Sequence, residues 1–254
     1  MYPTLLDLGP IQIHSFGAMV ALGFLAGLYL IKADLQRRGI DPEVGSAAVT
    51  ASMLGGLVGA KLYYVLFEKP EHLTSWEALF SGSGLTFYGG FAVAAAAALW
   101  VIRRRQVAVL PVVDTLGIGI SIGYAIGRIG CQLAGDGDYG IPTDLPWGMS
   151  YPNGVVPTLQ VVHPTPVYET LMGLAICGFL WFSRTRIQVP GLLFSIFLVL
   201  TAVARFAVEF IRINQRILWG LSDAQLISLA MIAGGLIWGV YLMASQRAPR
   251  DSIA

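Results

Sequence analysis

The chain reads as an all-α, polytopic membrane protein. It has seven transmembrane helices in one domain over residues 1–254, with the N-terminus extracytoplasmic and the C-terminus cytoplasmic. Three observations predict this. Hydrophobic residues make up 56% of the 254 positions and charged residues only 12%, with a mean hydropathy of +0.68. A soluble domain carries about 25% charge. Seven apolar runs of about 20 residues are each long enough to cross a bilayer as a helix. Lysine and arginine also alternate in abundance from one connection to the next, as cytoplasmic positive charge requires.

The runs cover roughly 15–33, 44–67, 85–102, 107–127, 166–183, 190–212 and 225–244. Residues 1–14 precede the first and contain no lysine or arginine. The connection after the first run holds Lys32, Arg37 and Arg38, and the one after the third holds Arg103, Arg104 and Arg105. Arg184 and Arg186 follow the fifth run, and Arg247 and Arg250 lie in the tail, so ten of the sixteen basic residues fall on one side. The other side has Lys69, Arg128, Arg212 and Arg216. This orientation puts the two long connections, 68–84 and 128–165, outside; loops of that length are uncommon unless functional.

Several classes are excluded or left without support. The N-terminus shows no basic n-region and no small-residue cleavage site, so no removable signal peptide is expected. A net charge of +1 gives no footing for nucleic acid. Cys131 and Cys177 imply no disulfide framework. His14, His72 and His163 are scattered without metal-ligand spacing. Gly119, Gly123 and Gly127 in the fourth run, and Gly55 and Gly59 in the second, read as close helix packing.

The informative residues are charges inside apolar runs, which are costly in lipid and mark functional sites by default. Lys61 lies in the second run and Asp114 in the fourth, the latter near its inner end. Arg128 ends the fourth run and opens the stretch Gly127-Arg128-Ile129-Gly130-Cys131-Gln132-Leu133-Ala134-Gly135-Asp136-Gly137-Asp138-Tyr139-Gly140. The sixth run carries Arg205, Glu209 and Arg212, whose offsets of 4 and 3 place them on one helical stripe. A structural Arg205–Glu209 pair is one reading. With the topology, however, every unusual polar group except Asp114 falls in the outer half of the membrane. Several arginines and few carboxylates meeting at one depth form an anion site at the outer headgroups. A lipid phosphate is the anion available there, and guanidinium forks bind phosphate with two prongs.

At this point the sequence resembles the bacterial prolipoprotein diacylglyceryl transferase family. The resemblance rests on Gly127-Arg128-Ile129-Gly130 followed by a Gly-acid pair and Tyr139-Gly140, on His163-Pro164-Thr165 with Tyr168-Glu169, and on Arg205-Phe206, Glu209-Phe210 and Arg212. Gly59-Ala60-Lys61 with Tyr64-Val65, Asp114, Pro146-Trp147-Gly148, Gln225-Leu226 and His14-Ser15-Phe16-Gly17 fall in order around these. The resemblance covers nearly the whole chain.

It implies a multi-pass enzyme of the bacterial plasma (inner) membrane, surrounded by membrane lipids. The enzyme takes the diacylglyceryl group of phosphatidylglycerol and transfers it to the lipobox cysteine of a prolipoprotein signal peptide. A thioether forms, glycerol-1-phosphate leaves, and no metal or organic cofactor is needed. On this reading Tyr88, Arg128, Arg205 and Glu209 are the catalytic candidates, with the two arginines on the phosphate and Glu209 orienting Arg205. Gly89, Gly90, Asp136, Glu169 and Arg212 join Arg128 as donor-binding candidates. Glu169 either binds the glycerol headgroup or steadies an arginine, and the two glycines admit the lipid at close range.

Departures from the family pattern are specific. Tyr88 stands where the family has histidine before Gly89-Gly90, and tyrosine, with a reference pKa of about 10, is a poor base at neutral pH. Cys131 and Ala134 stand at two asparagine positions, Asp136 at a glutamate, Phe16 at a tyrosine and Pro166 at a glutamine. The pattern is that of a divergent member, with transfer to another acceptor, or phospholipid binding or transport without chemistry, as the alternatives.

Overall fold

The computed structural model describes residues 1–9, 12–70 and 86–247, without the side chains of Phe87, Tyr88 and Arg247. The connection expected at 68–84 and Arg250 therefore lie mostly or wholly outside the described residues, as do His72 and Trp76.

Seven helices carry the described chain: α1 (Ser15–Arg37), α2 (Glu43–Tyr63), α3 (Phe87–Arg104), α4 (Val109–Ala134), α5 (Thr165–Ser183), α6 (Leu192–Val208) and α7 (Asp223–Arg247). Among the described residues, six segments are long and apolar enough to cross a membrane: Ser15–Arg37, Glu43–Glu68, Val109–Ala134, Thr165–Ser183, Leu192–Ile211 and Asp223–Gln246. The second of these includes a π-helical turn, Tyr64–Glu68, continuing α2. α3 occupies the third apolar run but is not among the six; Arg103 and Arg104 complete its 18 residues and lower its hydropathy.

The molecule is not purely helical. β1 (Thr4–Asp7) and β2 (Gln12–His14) pair antiparallel ahead of α1, and β3 (Met149–Tyr151) and β4 (Thr158–Val162) pair antiparallel between α4 and α5. These strands lie in segments too short or too polar for the helical period, where main-chain pairing satisfies the backbone locally.

Two helix ends differ from the sequence reading. α4 does not stop near Gly127 but runs on to Ala134, placing Arg128 and Cys131 inside the helix. Gly135 ends it with φ +61° and donates its N–H to the Cys131 carbonyl at 2.9 Å, as a left-handed C-terminal glycine does. α6 ends at Val208, a 3₁₀ turn follows at Glu209–Ile211, and Arg212 is extended at φ −82°, ψ 155°. Arg205, Glu209 and Arg212 therefore do not share one continuous helical stripe.

The described residues form two compact units, one taking in the chain up to Leu30 together with that from Val113 onward, the other Ile31–Val112. In the first, α1 and α4 approach on glycine: a Cβ on Gly27 would lie 2.8 Å from the Gly119 carbonyl oxygen, and one on Gly23 3.0 Å from that of Gly123. Ile118, Cys177, Leu180, Leu193 and Phe197 from α4, α5 and α6 make its apolar core. Asp114 joins two elements of this unit. Its carboxylate accepts the N–H groups of Gly191 at 3.0 Å and Phe194 at 2.9 Å, satisfying the otherwise open start of α6. In the second unit α2 packs on α3, where a Cβ on Gly59 would lie 2.5 Å from the Gly89 carbonyl oxygen and one on Gly90 3.0 Å from that of Gly56.

Candidate functional site

The site is built from charges that separate segments of the first unit bring together. α4 supplies Tyr124 and Arg128, one helical turn apart; the loop after it supplies Asp138. The N-terminal part of α5, just past its first turn, supplies Glu169. The end of α6 and the turn beyond supply Arg205, Glu209 and Arg212.

Glu169 is the hub. Its Oε1 accepts from the Tyr124 hydroxyl at 2.6 Å and from Arg205 Nη1 at 3.2 Å. Its Oε2 lies 3.2 Å from Arg212 Nη1 and 3.4 Å from Arg128 Nε. Asp138 is a second bridge, pairing with Arg128 and lying 2.5 Å from Arg212 Nη2. Glu209 Oε2 stands 3.0 Å from Arg205 Nη2, while its Oε1 accepts from Asn214 at 2.7 Å and Ser222 at 2.8 Å. Arg128 also lies over the Tyr124 ring, 5.1 Å from the centroid.

Three guanidiniums thus meet three carboxylates, not the excess of arginines expected from the sequence. What matters is their depth. The side chains of Glu169 and Glu209 are 2% and 0% exposed, whereas Arg128 and Arg205 keep 17% and 27%. The two glutamates lie beneath and hold the arginines in place, and the reachable face is cationic apart from Asp138 at 32%. Burial opposes the charged form of Asp138, but Arg128 and then Arg212 outweigh it and hold its carboxyl below the usual aspartate range.

The loop is held in register by backbone. Gly140 pairs with Arg212 and donates to the His163 carbonyl at 2.8 Å, Ile141 donates to the Ile211 carbonyl at 2.8 Å, and the Thr165 hydroxyl donates to the Asp138 carbonyl. Gln225 helps fix the turn after α6: its Oε1 accepts from Arg216 at 2.7 Å and from the Ser222 N–H at 3.1 Å.

Arg128, Arg205, Arg212, Glu169 and Glu209 are therefore brought together as the sequence suggests. Asp136 is not in the ionic network; its carboxylate accepts the Asp138 N–H at 3.3 Å. Asp138 and Tyr124 were missed. The signal for Tyr124 was its place four residues before Arg128, and for Asp138 it was the repeated Gly-Asp of the loop. Tyr88, Gly89 and Gly90 belong to the 31–112 unit, where Gly89 and Gly90 pack against α2 and the Tyr88 side chain is outside the described residues. Cys131 is buried with its sulfur 3.7 Å from Arg128 Nη1. Cys131, Asp136 and Asp138 place three donor atoms within 4.8 Å of one another. Asp138 already bridges two cations there, which disfavours a metal ion.

The family model for prolipoprotein diacylglyceryl transferase matches residues 3–241. The chain belongs to the prolipoprotein diacylglyceryl transferase family. It is 32% identical to the phosphatidylglycerol–prolipoprotein diacylglyceryl transferase of Clostridium tetani, over 93% of this chain and 96% of that one. It is 32% identical to the enzyme of that name from Bordetella avium, over 98% and 97%. With that of Synechococcus elongatus the identity is 30%, over 99% and 91%. The match to the prolipoprotein diacylglyceryl transferase family thus takes in every segment of the arginine cluster.

Proposed function

We infer that this chain transfers the diacylglyceryl group of phosphatidylglycerol to the cysteine thiol of a prolipoprotein lipobox, forming a thioether and releasing glycerol-1-phosphate. The observation that carries this reading is the layering of the cluster, with buried glutamates under partly exposed arginines. Arg128 and Arg205 hold the lipid phosphate, and Arg212, buried at 8% exposure between Asp138 and Glu169, adds its positive charge from behind them. Glu209 orients Arg205. Of the two roles open to Glu169, steadying the arginines is supported, because its oxygens are already taken by Tyr124 and three guanidiniums. Tyr88, Gly89, Gly90 and Asp136 enter through the family pattern alone.

In the reaction the sulfur, as thiolate, attacks the glyceryl carbon. The carbon–oxygen bond to phosphate breaks and the oxygen departs with the electron pair. Charge that grows on the phosphate is met by guanidiniums already fixed in position, so little reorganisation is needed at the moment of reaction. The surrounding architecture is taken as one domain of seven spans in the bacterial inner membrane, N-terminus outside, with 68–84 and 128–165 extracytoplasmic.

The test is incubation of the purified protein with phosphatidylglycerol and a lipobox peptide, scoring thioether-modified peptide and free glycerol phosphate. Arg128→Ala or Arg205→Ala is expected to lower turnover by about 100- to 1000-fold, the usual loss for one preorganised charge-stabilising group. Full turnover in both variants overturns the phosphate assignment. Lipid binding by the wild type without product would leave a phospholipid-binding protein in place of an enzyme.

A further inference from the structure

A second polar group is joined to the arginine cluster through the backbone. The Trp147 indole N–H donates to the Tyr168 hydroxyl at 2.8 Å, and His163 Nδ1 lies 3.2 Å from the same oxygen. The His163 and Tyr168 rings meet edge-on, with centroids 6.0 Å apart and planes at 65°. A phenol oxygen gives one hydrogen and has two acceptor positions, and an indole can only donate. Trp147 therefore fills one acceptor position of Tyr168. The Tyr168 hydrogen can be given to His163 Nδ1 when the neutral imidazole carries its own hydrogen on Nε2, and that is the tautomer a relay requires. In that tautomer one acceptor position on the Tyr168 oxygen stays open among the described residues.

The trio is tied to the anion site through backbone. Tyr168 immediately precedes Glu169, and the His163 carbonyl accepts from Gly140, which pairs with Arg212. The charged groups reached through the neighbours of His163 are Asp138, whose carbonyl binds Thr165, and Arg212, which Asp138 neutralises. His163 and Tyr168 are half-buried and Trp147 is exposed. Imidazole is the side chain whose ordinary titration range adjoins neutral pH, and the position where the family carries a histidine is Tyr88 here.

We propose that Tyr168 and His163 form the relay that takes the proton of the acceptor thiol, with Trp147 fixing its direction. The S–H proton passes to the open position on the Tyr168 oxygen while the Tyr168 hydrogen passes to His163 Nδ1. Tyr168 stays neutral, His163 becomes imidazolium, and sulfur is left as the thiolate that attacks the glyceryl carbon. The imidazolium later gives its proton to water. The relay rests on the transferase reading.

The test uses the full chain, phosphatidylglycerol micelles and two lipobox peptides, one with cysteine and one with selenocysteine, whose selenol is already ionised at neutral pH. His163→Gln and Tyr168→Phe are expected to lose about 100-fold or more in kcat with the cysteine peptide, the usual contribution of a positioned base. KM for the lipid should be unchanged. With the selenocysteine peptide both variants should stay within a few-fold of wild type. Their cysteine rate should recover as pH rises toward the thiol's own range near about 8.5. A wild type that forms no thioether overturns the transferase reading, and the relay with it. A wild type that turns over, with variants that lose equally on both peptides or on neither, overturns the relay alone and leaves the trio as a staple between loop and helix.

Discussion

Asp138 and Asp136 sit two positions apart and have unlike tasks. Asp138 joins Arg128 to Arg212, while Asp136 accepts a neighbouring backbone N–H and bonds the Cys131 thiol. Asp138→Asn is therefore expected to lower the thermal stability of the detergent-solubilised protein at neutral pH, and Asp136→Asn to leave it nearly unchanged. The folded-state pKa of Asp138 is depressed, so its contribution is present above the ordinary aspartate value of about 3.9 and is lost as pH falls through the lower folded value. The gap between wild type and Asp138→Asn should hold from about pH 8 to 5 and close below about pH 4; a gap that closes near pH 6 would contradict the pairing. Glu169 is buried under three guanidiniums, and removing the charge of one buried partner costs about 3–5 kcal/mol. Glu169→Gln should accordingly melt far below wild type in the same detergent, where an unaltered midpoint would remove Glu169 as the hub.

Helices here are positioned by what their smallest residues allow. Gly27 of α1 and Gly119 of α4 bring two backbones so close that an added Cβ meets carbonyl oxygen at 2.8 Å, whereas a Cβ on Gly178 of α5 meets nothing within 4 Å. Gly27→Ala should destabilise by about 1–3 kcal/mol, as overpacking does, and Gly178→Ala should be neutral or slightly stabilising. Equal effects at the two positions, read by unfolding in detergent, would refute the close approach of α1 and α4. The helices themselves were legible because long apolar runs leave few alternatives. Their ends were less so. α4 passes beyond Gly127 because Arg128 is neutralised in place by Asp138 and Glu169, and such a partner on another segment is invisible to a local reading. α6 stops at Val208 for a related reason: Arg212 leaves the helix and reaches Asp138 and Glu169 from an extended backbone. The β3–β4 pair was unforeseen, since its strands are only three and five residues long.

At the scale of the whole molecule, the placement of lysine and arginine predicts orientation. A reporter fused to the N-terminus should be found outside the cytoplasmic membrane and one fused to the C-terminus inside; the reverse would overturn the assignment. The amino-acid sequence by itself determined the membrane class, the helical segments, the family, and five of the charged residues that meet: Arg128, Glu169, Arg205, Glu209 and Arg212. It could do so because apolar length and intramembrane charge are local properties with few explanations in a bilayer. Only the tertiary structure decided that Asp138 rather than Asp136 bridges the arginines, that the glutamates lie deeper than Arg128 and Arg205, and that His163 reaches Tyr168. Those are properties of depth and direction between segments tens of residues apart, set by how α4, α5 and α6 pack, and no spacing along the chain encodes them.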